Sequence, residues 1–205
     1  MEPQNARYHL GLGNAYGQSA QKAGVLSKFG LAKKCRAEFE RAVELEPANV
    51  DFHQALFGYY QADPSLVGGG ADKAATEAAI IKKLDPARGR QAFAALYVGE
   101  KKYELAFAEY DEVLKASPTD YSALYQVGRL AAISGQNVDR GLASLQTCLE
   151  ATPPTGLPGH AAVHWRIGNL HEKKGDPAKA RIAYEAALKI DPNHAAAAES
   201  LKKLK

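Results

Sequence analysis

The sequence predicts an all-α protein built from repeated helix pairs. Alanine, leucine, lysine and glutamate dominate its 205 residues, and β-branched residues are scattered singly instead of alternating as strands require. A proline that closes a helical stretch recurs at Pro3, Pro47, Pro86, Pro118, Pro153 and Pro192, with gaps that scatter about a period in the thirties. Helix-forming composition and a regular period together indicate stacked helical repeats.

The clearest repeat unit lies near the C-terminus. In its first helix a glycine follows an apolar residue, and in its second helix an alanine stands four residues before an aromatic residue. The unit has the pattern His164-x2-Ile167-Gly168-x2-His171, Ala180-x3-Tyr184 and Pro192. The units that end at Pro118 and Pro153 follow the same pattern, the second of them with one residue added in its turn, so three consecutive units are in register.

This pattern resembles the tetratricopeptide repeat, a helix–turn–helix of about 34 residues with the pattern W-x2-L-G-x2-Y, A-x3-F and P. The resemblance implies a single array over residues 1–205, a right-handed α-solenoid of about five helix pairs. Small residues would sit where helices approach closely, and aromatic residues would fill the space between helices. The predicted units are 6–49, 50–86, 87–120, 121–160 and 161–194, followed by a capping helix at 195–205.

The first unit is stretched by about ten residues relative to the repeat, so its helices are expected to be longer than usual. Its segment YGQSAQKAGVLSKFGLAKKC and the later VGGG turn also resemble a bacterial set of exported or periplasmic tetratricopeptide proteins. That resemblance implies a periplasmic or exported location. The opening EPQNA repeats the wording of the EPANV that joins two units, which predicts that the chain is a fragment of a longer protein.

The glycine run in SLVGGGADKA raises the question of a phosphate loop. Such a loop needs a preceding strand and a hydroxyl residue after the lysine, whereas here a helix is predicted before it and Ala74 follows Lys73. We therefore interpret Gly68–Gly70 as a structural turn, with Asp72 as the N-cap of the next helix. An anion at the exposed start of that helix is the alternative.

Other chemistry finds little support in the sequence. The histidines His9, His53, His164 and His171 fall in packing columns of the repeat, so they are predicted to be core residues and not metal ligands. No catalytic set, metal site or cofactor is predicted. The net charge of +3 is spread without a basic stripe, which argues against nucleic acid as a partner, and no apolar run is long enough to span a membrane.

Function is then expected on the concave face, which in the tetratricopeptide family is lined by the first helix of each repeat. Its cations outnumber its acids, which favours an acidic peptide or a C-terminal carboxylate. The projected partner-binding residues are Arg7, Asn14, Gln54, Arg88, Gln91, Tyr125, Gln126, Arg129, Trp165, Arg166, Asn169 and Lys173.

The sequence thus predicts a non-enzymatic scaffold that binds a protein or peptide partner in this groove. Two alternatives stay open. The chain could be the regulatory or substrate-recruiting segment of a larger enzyme, or it could be a self-associating module that forms a homo-oligomer through the exposed ends of the array.

Overall fold

The structure, a computed structural model, describes residues 4–62 and 67–204. Glu2 and Pro3 of the EPQNA segment, Ser65 before the glycine run and Lys205 of the predicted capping helix lie outside the described residues. Eleven α-helices and no strand occur in the described part of the chain, which confirms the all-α prediction. In chain order the helices are α1 (Ala6–Lys22), α2 (Val25–Leu45), α3 (Val50–Ala62), α4 (Ala71–Leu84), α5 (Pro86–Gly99), α6 (Tyr103–Ala116), α7 (Tyr121–Ser134), α8 (Val138–Glu150), α9 (His160–Lys173), α10 (Pro177–Ile190) and α11 (Ala195–Lys203).

The helices group into two compact units, with the division between Leu96 and Tyr97 inside α5. In the first unit α1 packs on α2 and α3 packs on α4, and α2 also contacts α3. In the second unit the pairs are α7 with α8 and α9 with α10, and α11 packs on α10. Helices α1 and α2 have 17 and 21 residues, so each is longer than α3, which has 13.

Short polar side chains cap the N-termini of several helices. The side chains of Asn5, Asp120 and Asp176 accept hydrogen bonds from backbone N–H groups in the first turns of α1, α7 and α10. These bonds satisfy donors that the helix itself leaves unpaired. The prediction that Asp72 is the N-cap of α4 is wrong. Gly70 occupies the N-cap position, and Asp72 lies within the first turn of the helix.

Small and aromatic residues meet between paired helices, as the repeat pattern predicts. A Cβ on Gly13 would lie 2.5 Å from Cε1 of the Phe39 ring, and a Cβ on Gly168 would overlap the ring of Tyr184. Phe39 is 6% exposed and Tyr184 is fully buried. In these two helix pairs, an aromatic ring of the second helix therefore packs directly against the backbone of the first helix at a glycine.

The glycine turn is held against α2. Gly68 has a φ of +87°, a backbone conformation that favours glycine, and a Cβ there would clash with the Arg36 guanidinium. Arg36 Nη1 and the Tyr59 hydroxyl both donate to the Val67 carbonyl, at 3.2 and 2.9 Å. Lys73 Nζ donates to the Gly68 carbonyl at 3.0 Å. These contacts support the interpretation as a structural turn.

Candidate functional site

Seven of the twelve projected residues lie on two helices of the second unit that pack against each other, α7 and α9. Tyr125 is 6% exposed, so its ring supports the face from below and presents little surface. Lys173 is exposed at the end of α9, and the remaining five are half-buried. We call the set Gln126, Arg129, Trp165, Arg166, Asn169 and Lys173 the α7–α9 face.

Trp165 and Arg166 form the centre of this face. The Arg166 guanidinium stacks on the Trp165 ring, with Cζ 4.0 Å from the ring centroid. The indole N–H donates to the Ser200 hydroxyl at 3.1 Å, and the His194 ring lies 5.6 Å from the indole, centroid to centroid. Residues of α11 and its N-cap thus fix Trp165, which in turn positions Arg166.

The guanidiniums of Arg129 and Arg166 have no carboxylate partner within residues 4–62 and 67–204. Arg129 Nη1 donates to the amide oxygen of Gln126 at 3.3 Å, a contact within the same helix. Arg166 Nε is buried and has no hydrogen-bond partner in the described part of the chain. A buried donor without a partner is costly, and a bound acceptor would remove that cost.

Burial raises the pKa of Tyr110 to about 12, an effect that the nearby positive charge of Arg129 partly opposes. On α9, the Tyr184 hydroxyl donates to the Asn169 side-chain oxygen at 2.8 Å. Burial, followed by the negative charge of Glu172, raises the pKa of Tyr184. The hydroxyls of both tyrosines therefore stay protonated around neutral pH, so neither phenol adds negative charge to the face.

The projected residues of the first unit have a different electrostatic environment. Arg88 Nη1 donates to Asp51 at 2.5 Å and to the Gln54 side chain at 3.1 Å, and its Nε lies 3.5 Å from Asp85. Two carboxylates thus neutralise this cation. Gln91 is half-buried on α5, whereas Arg7 and Asn14 are exposed on α1.

Sequence reasoning missed a cleft of about 400 Å³ in the first unit. Asn14 lines it, but so do Gln18 and Gln21 on the same helix and Lys28 on α2. The i, i+4, i+7 spacing of the three amides was the signal that could have identified them as one face of a helix. The repeat pattern predicted Asn14 but not Gln18 and Gln21, because that pattern is shorter than this helix pair.

Of the four histidines predicted to be core residues, His53 is buried, whereas His9, His164 and His171 are half-buried. His53 is 3% exposed; its Nδ1 lies 2.6 Å from Glu77 Oε2 and its Nε2 lies 2.9 Å from the Pro47 carbonyl oxygen. His9 makes the corresponding contact in the preceding helix pair, with Nδ1 2.6 Å from Glu38. Within residues 4–62 and 67–204, no group of three or more histidine, cysteine or acidic side chains is arranged to hold a metal ion.

Lowering the pH from about 7.5 to about 5.5 is expected to destabilise the second unit. Burial is the main cause that lowers the pKa of both His164 and His171, so the unfolded chain takes up protons at these positions before the folded chain does. Stability is therefore full above the ordinary histidine pKa of about 6.5 and declines below it. Thermal unfolding at the two pH values measures the effect. The double variant His164→Gln, His171→Gln is expected to show a smaller decline, and an equal decline would contradict the assignment.

Within each unit, helix pairs pack against the next pair along the chain, the arrangement of helical-repeat proteins, and the all-α solenoid class is as predicted. Comparisons with known proteins specify the repeat, because residues 161–194 match the family model of the tetratricopeptide repeat. That segment is a tetratricopeptide repeat, a module found in proteins that are generally non-enzymatic scaffolds. A comparison with curated protein sequences finds no significant match.

Solved structures, among them those of two tetratricopeptide repeat proteins, share the fold. TTC0263 of Thermus thermophilus gives a TM-score of 0.66 at 19% identity, covering 97% of this chain and 100% of that one. YrrB, described as a TPR protein with an unusual peptide-binding site, gives a TM-score of 0.57 at 18% identity, covering 98% of this chain and 94% of that one. MamA from Desulfovibrio magneticus RS-1, in a form that runs from residue 41 to the end, gives a TM-score of 0.57 at 18% identity, covering 89% of this chain and 97% of that one. None of the described helices is long and apolar enough to cross a membrane.

Proposed function

We propose that the protein is a non-enzymatic interaction scaffold and that its α7–α9 face binds an acidic peptide segment or a C-terminal carboxylate of a partner protein. The observation that carries the proposal is the pair of half-buried guanidiniums, Arg129 and Arg166, without a carboxylate partner in the described chain. Arg88, in contrast, is paired with Asp51 and Asp85, and Arg140 is paired with Asp111. Cations left without acids are the ones available to a ligand.

The chemistry of the face suits a carboxylate. A guanidinium presents a planar fork that binds both oxygens of a carboxylate, and such charge-assisted bonds are stronger than neutral ones. The stacked Trp165 ring restricts the orientation of Arg166 and so lowers the entropy lost when a ligand binds. The peptide-binding site named for YrrB, which shares this fold, supports a peptide as the ligand class.

The test begins with a random 12-residue peptide library with free C-termini, selected on the full chain. The double variant Arg129→Ala, Arg166→Ala is expected to weaken binding of the selected peptides by about a hundredfold, since each charge-assisted bond contributes about 1.5 kcal/mol or more. Fluorescence anisotropy of labelled peptides gives the dissociation constants. The variant Arg166→Lys keeps the charge and loses the fork, so a weakening there separates carboxylate geometry from charge.

The matched control is Arg181→Ala, Lys189→Ala, which removes two exposed positive charges from α10. It is expected to change the affinity by about twofold or less, the range of weak surface electrostatics. Equal weakening in the control would mean that general charge, and not this face, attracts the peptides. Circular dichroism checks that every variant keeps its helices, and light scattering of the unmodified chain tests the alternative of self-association.

A further inference from the structure

We infer that the cleft between α1, α2 and α3 is a second binding site, which takes an extended acidic peptide segment and is distinct from the α7–α9 face. The cleft has a volume of about 400 Å³, within the range of about 300–1,000 Å³ that is typical of ligand sites. Phe39, Tyr59 and Cys35 line its inner part, and Ala62 at the last turn of α3 lies at one side. We call it the α1–α2 cleft.

Three amide side chains follow one wall of the α1–α2 cleft. Asn14, Gln18 and Gln21 are all exposed, and within the described chain their side chains have no hydrogen-bond partner. Their spacing puts them on one face of α1 over about 10 Å, which is close to the length of three residues of extended chain. Amide groups both donate and accept, so a row of them matches the alternating N–H and C=O groups of a peptide backbone.

Charge selects an acidic peptide. Residues 6–37 contain six lysines and arginines and no aspartate or glutamate, although the whole chain has 26 basic and 23 acidic residues. Lys28 is the member of this cationic segment that lines the cleft. Such a one-sided distribution attracts anionic groups and repels basic ones. An acidic side chain or a terminal carboxylate of the peptide would meet Lys28.

An apolar residue of the peptide has a complementary surface. Val25 lies one helical turn before Lys28 and is 72% exposed, and Phe29 on the next position of α2 is 38% exposed. Phe39 and Tyr59 inside the cleft, together with these exposed side chains in the first turns of α2, favour a peptide in which acidic and apolar residues both occur.

Peptides selected from the same 12-residue library test this inference. Gly17→Leu is the main variant, because Gly17 lines the cleft and a Cβ there would meet the sulfur of Cys35 at an ordinary 3.5 Å, so the leucine fills the cleft without a change in charge. We expect a subset of peptides rich in aspartate and glutamate to bind this variant about tenfold or more weakly. Lys28→Glu is expected to have the same effect.

The matched control is Lys33→Glu, which makes the same charge change at an exposed position of α2 outside the cleft, with an expected change of about twofold or less. The double variant Gln18→Ala, Gln21→Ala removes two amides without filling the cleft and provides the test if Gly17→Leu does not fold. Selected peptides that bind Gly17→Leu and this amide variant as tightly as the original chain would overturn the inference.

The thiols give an independent readout. Cys35 lines the cleft with 4% of its surface exposed, whereas Cys148 in the second unit has no exposed surface and burial raises the pKa of its thiol to about 11. A bound peptide is expected to slow alkylation of Cys35 by iodoacetamide and to leave Cys148 unchanged. Unchanged alkylation of Cys35 at saturating peptide would contradict binding in the cleft.

The two sites can fail separately. Peptides lost by Gly17→Leu and kept by Arg129→Ala, Arg166→Ala report the α1–α2 cleft, and the reverse pattern supports the α7–α9 face while it overturns this inference. Vesicles of phosphatidylglycerol test a membrane surface as the occupant. A lipid-binding surface would bind the vesicles, and Lys28→Glu and Lys33→Glu would weaken that binding equally. If this is observed and no selected peptide responds to Gly17→Leu, the cationic segment binds lipid and the inferred peptide site is wrong.

Discussion

Replacing Tyr184 with alanine is expected to lower the free energy of unfolding by about 3 to 5 kcal/mol. The ring is fully buried and lies against the bare backbone at Gly168, so its loss leaves a cavity between α9 and α10 that neither helix can close without moving. Urea unfolding of the full chain, followed by circular dichroism, measures the change. Hydrogen exchange of the α9 and α10 amides localises it to this helix pair.

Tyr184→Phe is the matched control. It keeps the ring and removes the hydroxyl that donates to Asn169, so the expected cost is about 1 kcal/mol. A phenylalanine variant as unstable as the alanine variant would contradict the packing argument, because the hydrogen bond would then contribute more than the ring.

The repeat pattern predicted this contact because its spacing determines which residues meet. A glycine in the first helix and an aromatic residue in the second recur as a pair, and both Gly13 with Phe39 and Gly168 with Tyr184 are in contact, although the first pair is about ten residues further apart in the sequence. Helical period and chain order suffice for such local pairs, since the two helices are consecutive and joined by a short turn.

The electrostatics of the candidate site were not predictable in the same way. Projection put Arg88 on a cationic face, but its guanidinium binds Asp51, which lies 37 residues earlier in the chain. The stack of Arg166 on Trp165 is held by Ser200 of α11, 35 residues away from the indole. Contacts between side chains of different repeats depend on rotamers and on how the helices pack, and a periodic pattern contains neither.

The long first helix pair shows the same limit. The extra residues of the first unit predicted longer helices, and α1 and α2 have 17 and 21 residues. The α1–α2 cleft was not predicted, because a cavity depends on where α3 ends relative to the pair. Asp72 shows a smaller error, since Gly70, with a positive φ of +132°, starts α4 two residues earlier than a polar cap would suggest.

Removing the carboxylate of Glu77 is expected to destabilise the first unit by about 3 kcal/mol, because it leaves Nδ1 of the buried His53 without its hydrogen-bond partner. The Pro47 carbonyl can only accept a hydrogen bond, so His53 Nε2 must donate to it. The contact of Nδ1 with Glu77 then needs a second proton, which makes His53 and Glu77 together a buried pair of zero net charge. In Glu77→Ala, His53 keeps its burial and loses this partner.

Two variants make the expectation specific. Glu77→Gln offers an amide N–H to an unprotonated Nδ1 and keeps the bond to Pro47, so it is expected to cost about 1 kcal/mol. Glu38→Ala breaks the corresponding pair with His9, whose side chains are 15% and 22% exposed, and is expected to cost less than Glu77→Ala because water reaches the remaining partner. Urea unfolding and hydrogen exchange of α3 and α4 compare the three variants. If glutamine at position 77 costs as much as alanine, a charged carboxylate is essential there and a neutral hydrogen bond does not replace it.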